Sequence, residues 1–499
     1  MKPSNPFGLG GATALPDLVA VAQGGRKVAL GSGAKARVAA SRRLLLKLAA
    51  SGAPLYGVNT GFGELASKRV PAGSLAQLQR NLVLSHACGI GEPLSEAEAR
   101  GIMFLRANEL SRGYSGARAE LIELMAALLN AGAAAVIPSR GSVGASGDLA
   151  PQAHMALTLI GEGELTLKGK RLKGAAALKR LGLRAAVLEA KEGLALLNGT
   201  QAMQAVGGLA LHRSELVLSA ADLAGALSLE AMTGTPAPFD EAVSRLKPHP
   251  GQVETARRLR RLLAGSQIRD SHLENDPRVQ DPYSLRCMPQ VHGAVRDQLE
   301  HGRRTYEIEL GSVTDNPLVV SGRVISGGNF HGQALAFACD AAATAMTALG
   351  GISERRVFQL ISGQAPGLNP FLARDPGLES GWMIAQVTAA ALASENKTLA
   401  HPASADSVPT SANKEDFVSM GMWAALKFKQ VVFNAAQIVA IELLCAAEGV
   451  EVHAPLKPGR GAAEGLRRLR AKVPPAKGDE VFGPRMERVR ELILEGYFA

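Results

Sequence analysis

The residues Gly141-Ser142-Val143-Gly144-Ala145-Ser146-Gly147-Asp148-Leu149-Ala150-Pro151 place an Ala-Ser-Gly triplet among glycines, just before a helix start. Such a triplet can do chemistry with its own backbone. Gly147 has no Cβ, so its amide nitrogen is free to turn back toward the carbonyl carbon of Ala145. Closing that bond makes a five-membered ring. Loss of water from the ring, and of a second water with the Ser146 hydroxyl, leaves an exocyclic C=C, an electrophile that no ordinary side chain supplies. Three plainer readings compete. A Gly/Ser loop before a helix is most often only a turn. A phosphate cradle needs Gly-x-x-x-x-Gly-Lys-Ser/Thr, which is missing here. A serine-hydrolase elbow, Gly-x-Ser-x-Gly, needs glycine where Asp148 stands.

Further motifs share the chain with this loop. They are Tyr56-Gly57-Val58-Asn59-Thr60-Gly61-Phe62-Gly63, Leu197-Asn198-Gly199-Thr200-Gln201, Gln280-Asp281-Pro282-Tyr283-Ser284-Leu285-Arg286 and Gly328-Asn329-Phe330-His331-Gly332. From about Tyr56 to about Met420 the set resembles the histidine/phenylalanine/tyrosine ammonia-lyases. Their prosthetic group is 4-methylideneimidazol-5-one (MIO), built from an Ala-Ser-Gly triplet. The resemblance implies an MIO cofactor from Ala145, Ser146 and Gly147, a mainly α-helical fold, and a homotetramer whose active sites are each shared by three subunits.

Removing ammonia from an α-amino acid requires an electrophile, a base for the weakly acidic β-proton and a cation for the carboxylate. Tyr56, in its glycine-rich loop, is the leading base candidate, and Tyr283 is the second tyrosine matched to the family. A free tyrosine titrates near ~10, so either needs cationic or donor neighbours to serve as a base. Gln280, Tyr283 and Arg286 are spaced i, i+3, i+6, which would set them on one side of a helical turn. Arg286 is the carboxylate clamp candidate, because guanidinium grips a carboxylate through two parallel bonds. Apolar neighbours such as Leu285 and Met288 point to its partial burial. By resemblance, Asn198 and Gln280 bind the cofactor and the carboxylate, Phe330 packs beside the electrophile, and Asp148 assists cyclisation. Asp148 is also of a residue type favoured as a helix N-cap.

Substrate choice within the family follows Leu82-Val83-Leu84. Ser85-His86 resembles the pattern of the histidine-directed members, whereas His-Leu and Phe-Leu accompany tyrosine and phenylalanine. An imidazole can exchange hydrogen bonds with His86 where a benzene ring cannot. Glu415 matches the acid that reaches the substrate imidazole in histidine-directed members. Phe417 departs from the histidine that many of them carry. The expected reaction is deamination of L-histidine to trans-urocanate and ammonia. A tyrosine ammonia-lyase or an MIO-dependent aminomutase is the alternative within the family. A helical scaffold or nucleic-acid-binding protein with an uncyclised triplet is the alternative outside it.

These residues must be held by helices. Alanine and leucine dominate and β-branched runs are few, which favours helix. Leu121, Met125, Leu128 and Leu129 form one stripe on a helix over 117–129, stopped by Asn130 and Gly132. A second helix opens near Leu149-Ala150-Pro151 and ends by Gly161. The stretch Glu164 to Leu172 alternates as a small hairpin. Beyond Gln201, helices are expected over roughly 202–233, 251–264, 285–311, 330–360, 380–397, 415–448 and 484–495. Helices of that length need partners, hence a bundle. The segment from Pro455 to Gly483 reads as a surface excursion. The expected division is 1–200, an N-terminal domain carrying the triplet, and 201–499, a helical bundle with a C-terminal extension.

The bulk numbers exclude little but order the alternatives. The chain has 499 residues, 46% of them hydrophobic and 4% aromatic. No apolar run of about 18 residues without polar breaks is evident, so a membrane partner is not expected. The start, Met1-Lys2-Pro3-Ser4-Asn5-Pro6, lacks the apolar region of a secretory signal, and a cytoplasmic location is expected. Cys88, Cys287, Cys339 and Cys445 share no C-x-x-C spacing and the ten histidines no H-E-x-x-H spacing, so no metal is expected. The net charge of +10 raises nucleic acid as a partner. However, the basic clusters Arg257-Arg258-Leu259-Arg260-Arg261 and Arg467-Arg468-Leu469-Arg470 lack aromatic interleaving and any recognised module, so none is expected.

Overall fold

The structure is a computed structural model. It describes residues 5–499 apart from 53, 62, 275 and 277 and the side chain of Glu64. Met1 to Ser4, on which the reading of the chain start rests, and Phe62 of the glycine-rich motif lie outside the described residues. Nineteen α-helices and a few strands of two to four residues are present among the described residues. The fold is mainly α. The residues fall into two compact units. The first comprises residues 1–209, 303–339 and 402–426, and the second 210–302, 340–401 and 427–499. Each unit is thus assembled from three stretches of the sequence.

In the first unit, Glu96–Leu110 is a core helix. Ser95 starts it with a capping box. Ser95 Oγ accepts from Glu98 N at 3.3 Å, and the Glu98 carboxylate accepts from Ser95 N at 2.8 Å. From Gly101 to Leu110 every residue is buried, so its polar members Arg106, Asn108 and Glu109 must find partners inside the protein. The helix Ala119–Asn130 buries Leu121, Met125, Leu128 and Leu129 as its stripe predicts, and Gly132 takes the left-handed conformation after it (φ 74°). The expected hairpin forms from Glu164–Leu167 and Lys170–Lys173, with Leu165 opposite Leu172, and Ala134–Ala135 adds a third strand.

Several helix boundaries differ from expectation, and backbone chemistry accounts for them. The helix expected over 415–448 runs Gly421–Val452. Ser411, Ala412, Asn413 and Met420 all have positive φ, so the segment before Gly421 is looped and Glu415 stands outside the helix. The helix expected from residue 330 begins at Gln333, leaving Phe330 in a turn. The one expected over 285–311 is broken at Cys287 into Tyr283–Arg286 and Met288–Leu310. Pro289, which has no N–H to continue a helix, sits at the start of the second piece. The Pro455–Gly483 excursion contains the helix Arg460–Arg470, which buries Ala462 and Leu469.

Two helices, Gln333–Ile361 and Gly421–Val452, are long and apolar enough to cross a membrane, contrary to the expectation that no such run exists. Their most apolar windows are 56% and 89% buried inside the protein, as in core helices. Isolated polar residues interrupt both, and in the second unit these are paired. Asp340 lies 3.3 Å from Lys427 Nζ, and Asn434 donates to Asn396 Oδ1 at 2.9 Å.

The second unit also buries two charged networks. Glu442 binds Arg356, Ser353 and Ser228. Asp222 binds His292, Arg258 and Arg296. Much of the basic stripe is engaged locally. Arg257 pairs with Glu254, Arg467 with Glu464, and Arg470 with Glu448 and Glu451.

Candidate active site

The Ala-Ser-Gly loop is held in a conformation that few residues adopt. Ser146 (φ 51°) and Gly147 (φ 77°) are both left-handed. A Cβ on Gly147 would fall 2.1 Å from the carbonyl oxygen of Gly199, so no residue but glycine fits. The backbone there pairs with the Asn198–Gly199 turn. Asp148 N donates to Gly199 O at 2.9 Å, and Gly199 N donates to Ser146 O at 3.2 Å. Asp148 is wholly buried. It occupies the N-cap position of the helix Leu149–Leu159, but its side chain does not cap that helix. One carboxylate oxygen accepts from Ser142 Oγ at 2.8 Å and the other from Met203 N at 2.7 Å, in the first turn of a helix further along the chain, Gln201–Ala231. Burial pushes the Asp148 carboxyl up to about 6, against the lowering effect of the bonds from Met203 and Ser142.

Ser146 faces a cavity of about 560 Å³ built wholly within the first unit. Leu65, Leu78, Leu82, Leu149, Leu194 and Leu197 line its apolar walls. Polar groups converge from three sides. Tyr56 enters from the glycine-rich loop, where its hydroxyl accepts from Gly63 N at 3.3 Å. Ser85 and His86 end the helix Leu75–His86, with Ser85 Oγ 3.1 Å from His86 Nδ1. Burial lowers the pKa of His86, while the Leu82 carbonyl and Glu415 pull it upward. The ring is neutral at neutral pH, so one nitrogen can accept while the other donates. Glu415 enters from the loop before Gly421. Its Oε1 accepts from Ser146 Oγ at 3.0 Å, and its Oε2 accepts from Thr410 and Ser411 at 2.7 and 2.8 Å.

Asn198, 2% exposed, also lines the cavity. Its carbonyl oxygen accepts from Arg106, but its side-chain Oδ1 is buried with no hydrogen-bond partner among the described residues. An unspent buried acceptor is costly, which makes it a natural point for a ligand donor.

Tyr56, His86, Ser146, Asn198 and Glu415 are thus brought together on one cavity. Phe330 belongs to the same unit but does not line the cavity. Gln280, Tyr283 and Arg286 belong to the second unit and do not line it either. Only Tyr283 to Arg286 is helical, so Gln280 falls outside the expected turn. Tyr283 is 71% exposed, with the Arg286 guanidinium 4.8 Å from its ring centroid. Arg356 steadies this segment by donating to Ser284 O at 3.2 Å. Among the described residues no group of three or more His, Cys, Asp or Glu side chains could hold a metal ion.

Sequence reading missed Thr410 and Ser411, whose hydroxyls aim Glu415, and Asn81 on the cavity wall. No spacing marks hydroxyls of that kind. A signal did exist for the buried Arg106 and Glu109, two charges inside a mostly apolar helical run.

The profile of the aromatic amino acid lyase family matches residues 13–471. The histidine ammonia-lyase of Myxococcus xanthus is 51% identical over 484 residues, covering 97% of this chain and 95% of that protein. Among solved structures, histidine ammonia-lyase from Trypanosoma cruzi superposes with a TM-score of 0.91 at 39% identity, over 99% of this chain and 94% of that one. The tyrosine aminomutase from Streptomyces globisporus reaches 0.92 at 37% identity, over 99% and 97%. With the match spanning most of its length, this chain belongs to the aromatic amino acid lyase family.

Proposed function

We infer that this protein is a carbon–nitrogen lyase that deaminates L-histidine to trans-urocanate and ammonia, acting as a histidine ammonia-lyase. The observation that carries the substrate assignment is the convergence of His86 and Glu415 on the cavity that Ser146 faces. The triplet fits an MIO. Gly147 lies where only glycine is tolerated, and the Ser146 hydroxyl that must leave is engaged by a carboxylate. Such a ring, formed from Ala145, Ser146 and Gly147, supplies a methylidene carbon that draws electron density from the substrate's amine or ring.

The chain's own residues do the rest in this proposal. His86 and Glu415 hold the imidazole, one through a neutral ring nitrogen and the other as an acceptor. The Asn198 amide holds substrate or cofactor through its unpartnered oxygen. Tyr56 or Tyr283 takes the β-proton. Arg286 clamps the carboxylate and Gln280 supports it, while Phe330 packs beside the ring. Because Gln280, Tyr283 and Arg286 do not line the cavity, and Tyr283 is exposed, we assign these residues to the site of a neighbouring copy. This assignment fits the homotetramer with shared sites that the family resemblance implies, and a cytosolic enzyme with its four cysteines reduced completes the reading.

The fold accommodates both lyase and mutase chemistry, so products decide between them. Incubation with L-histidine, L-tyrosine and L-phenylalanine separately is expected to give urocanate and ammonia from histidine. The apolar rings should be rejected by up to roughly 10⁴-fold, because they leave buried polar groups unpaired. Equal turnover of tyrosine, or a β-amino acid as product, overturns the assignment.

A further inference from the structure

Arg106 is fully buried on the core helix Glu96–Leu110 and does not line the cavity. Its Nε and Nη2 donate to Gln152 Oε1 at 2.9 and 2.7 Å. Nη2 also donates to the carbonyl oxygen of Asn198 at 2.6 Å and to Gln201 Oε1. Nη1 stands 3.5 Å from Glu109 Oε1. Gln152, itself fully buried, turns its amide to the backbone, donating to Leu197 O and Gly199 O at 2.8 Å each. Two side chains therefore hold three successive carbonyls, those of Leu197, Asn198 and Gly199. These end the short helix Glu192–Leu197 and continue past it, and in a dry interior they need such donors. The same stretch presses on the triplet, with Gly199 O filling the space a Gly147 Cβ would need and Gly199 N bonded to Ser146 O.

We propose that Arg106 and Gln152 are positioning residues for maturation of the triplet, clamping Leu197–Gly199 so that Gly147 N is held toward the Ala145 carbonyl carbon. The proposal rests on the reading that the triplet cyclises. In that step the N–C bond forms and the Gly147 amide proton passes to the Ala145 oxygen. This hydroxyl leaves with the Ser146 amide proton as one water, giving C=N. The Ser146 Oγ–H leaves with the Ser146 Cα proton as the second water, giving C=C. No oxidant is needed.

Two variants separate the clamp from simple stability. Gln152→Glu keeps an acceptor for Arg106 but has no N–H for Leu197 and Gly199. Arg106→Lys keeps the charge beside Glu109 but loses the planar fork. Leu128→Ala, a buried site on Ala119–Asn130 with no bond to the clamp, serves as a destabilised control. Intact mass is followed in time after synthesis, at temperatures where the soluble yield of all chains is matched and circular dichroism is unchanged. Wild type and Leu128→Ala are expected to lose two waters. The two clamp variants should mature roughly 10²-fold more slowly, the scale on which misplacing reacting groups by about 1 Å acts. Full water loss at the wild-type rate in both clamp variants, whatever their melting temperatures, overturns the clamp. If wild type itself keeps both waters, it is the cyclisation reading that fails.

Discussion

Asp148 shows how much one carboxyl can report. In the unfolded chain an aspartate titrates near 3.9, and in the fold burial pushes this one up to about 6. Between those values the folded state holds a proton that the unfolded state has released. Its contribution to stability therefore falls as pH rises from about 4 to about 6 and is level above. Asp148→Asn removes this dependence. The melting-temperature difference between wild type and variant should shift in the variant's favour across that window and stay constant above about pH 7. A difference that does not change with pH would show that Asp148 titrates as an ordinary aspartate. At Ser146 the expectation is chemical. Ser146→Ala has no hydroxyl to eliminate, so it should fold with the wild-type circular dichroism, lack the second water loss and keep almost no turnover. Wild-type turnover from an unmodified Ser146→Ala chain would remove the MIO from the mechanism.

Elements matter because the site residues come from loops whose conformations are set by helix ends. Tyr56 and Glu415 sit on loops, His86 closes a helix, and Asn198 follows one. The core helix Glu96–Leu110 is the element from which Arg106 reaches the Asn198 carbonyl, and its start is defined by the Ser95–Glu98 capping box. Ser95→Ala should lower stability by about 1 kcal/mol, the usual loss for such a cap, with kcat and KM preserved. Chemical denaturation alongside steady-state kinetics checks this. A change in kcat without loss of stability would mean that the cap acts on the site directly.

At the scale of the whole molecule, the proposed site divides into Tyr56, His86, Asn198 and Glu415 on one cavity, and Gln280, Tyr283 and Arg286 elsewhere on the chain. If neighbouring copies complete one another, two inactive chains can make an active assembly. Tyr56→Phe and Arg286→Ala should each be nearly inactive alone. Co-expressed and purified through two different tags, the mixed oligomer should recover a clear fraction of wild-type turnover, because some of its sites contain both native residues. Activity no higher than either parent would place both residues in one chain's site. The basic stripes belong to this scale too. With Arg257, Arg467 and Arg470 each beside a carboxylate, the charge of +10 is not a bare cationic surface.

The sequence by itself determined the reaction class and the family. Those depend on residue types at fixed short spacings, as in Ala145-Ser146-Gly147 and Tyr56 to Gly63, and spacing along the chain is what a sequence records. It also determined most helices, because an apolar stripe such as Leu121, Met125, Leu128 and Leu129 has to be buried. Tertiary structure decided which of those residues meet. Glu415 was expected inside a helix, but four left-handed residues turn it out toward Ser146, and positive φ at Ser411, Ala412 and Met420 has no signature in residue type. Asp148 is of a residue type that favours the N-cap of its own helix, yet its side chain bonds the first turn of Gln201–Ala231 instead. A buried acceptor goes to whichever N–H the fold brings within 3 Å, and here that is Met203. The clamp of Arg106 and Gln152 lies 46 residues apart along the chain, joined only because a buried guanidinium must find acceptors and a buried amide must spend its donors.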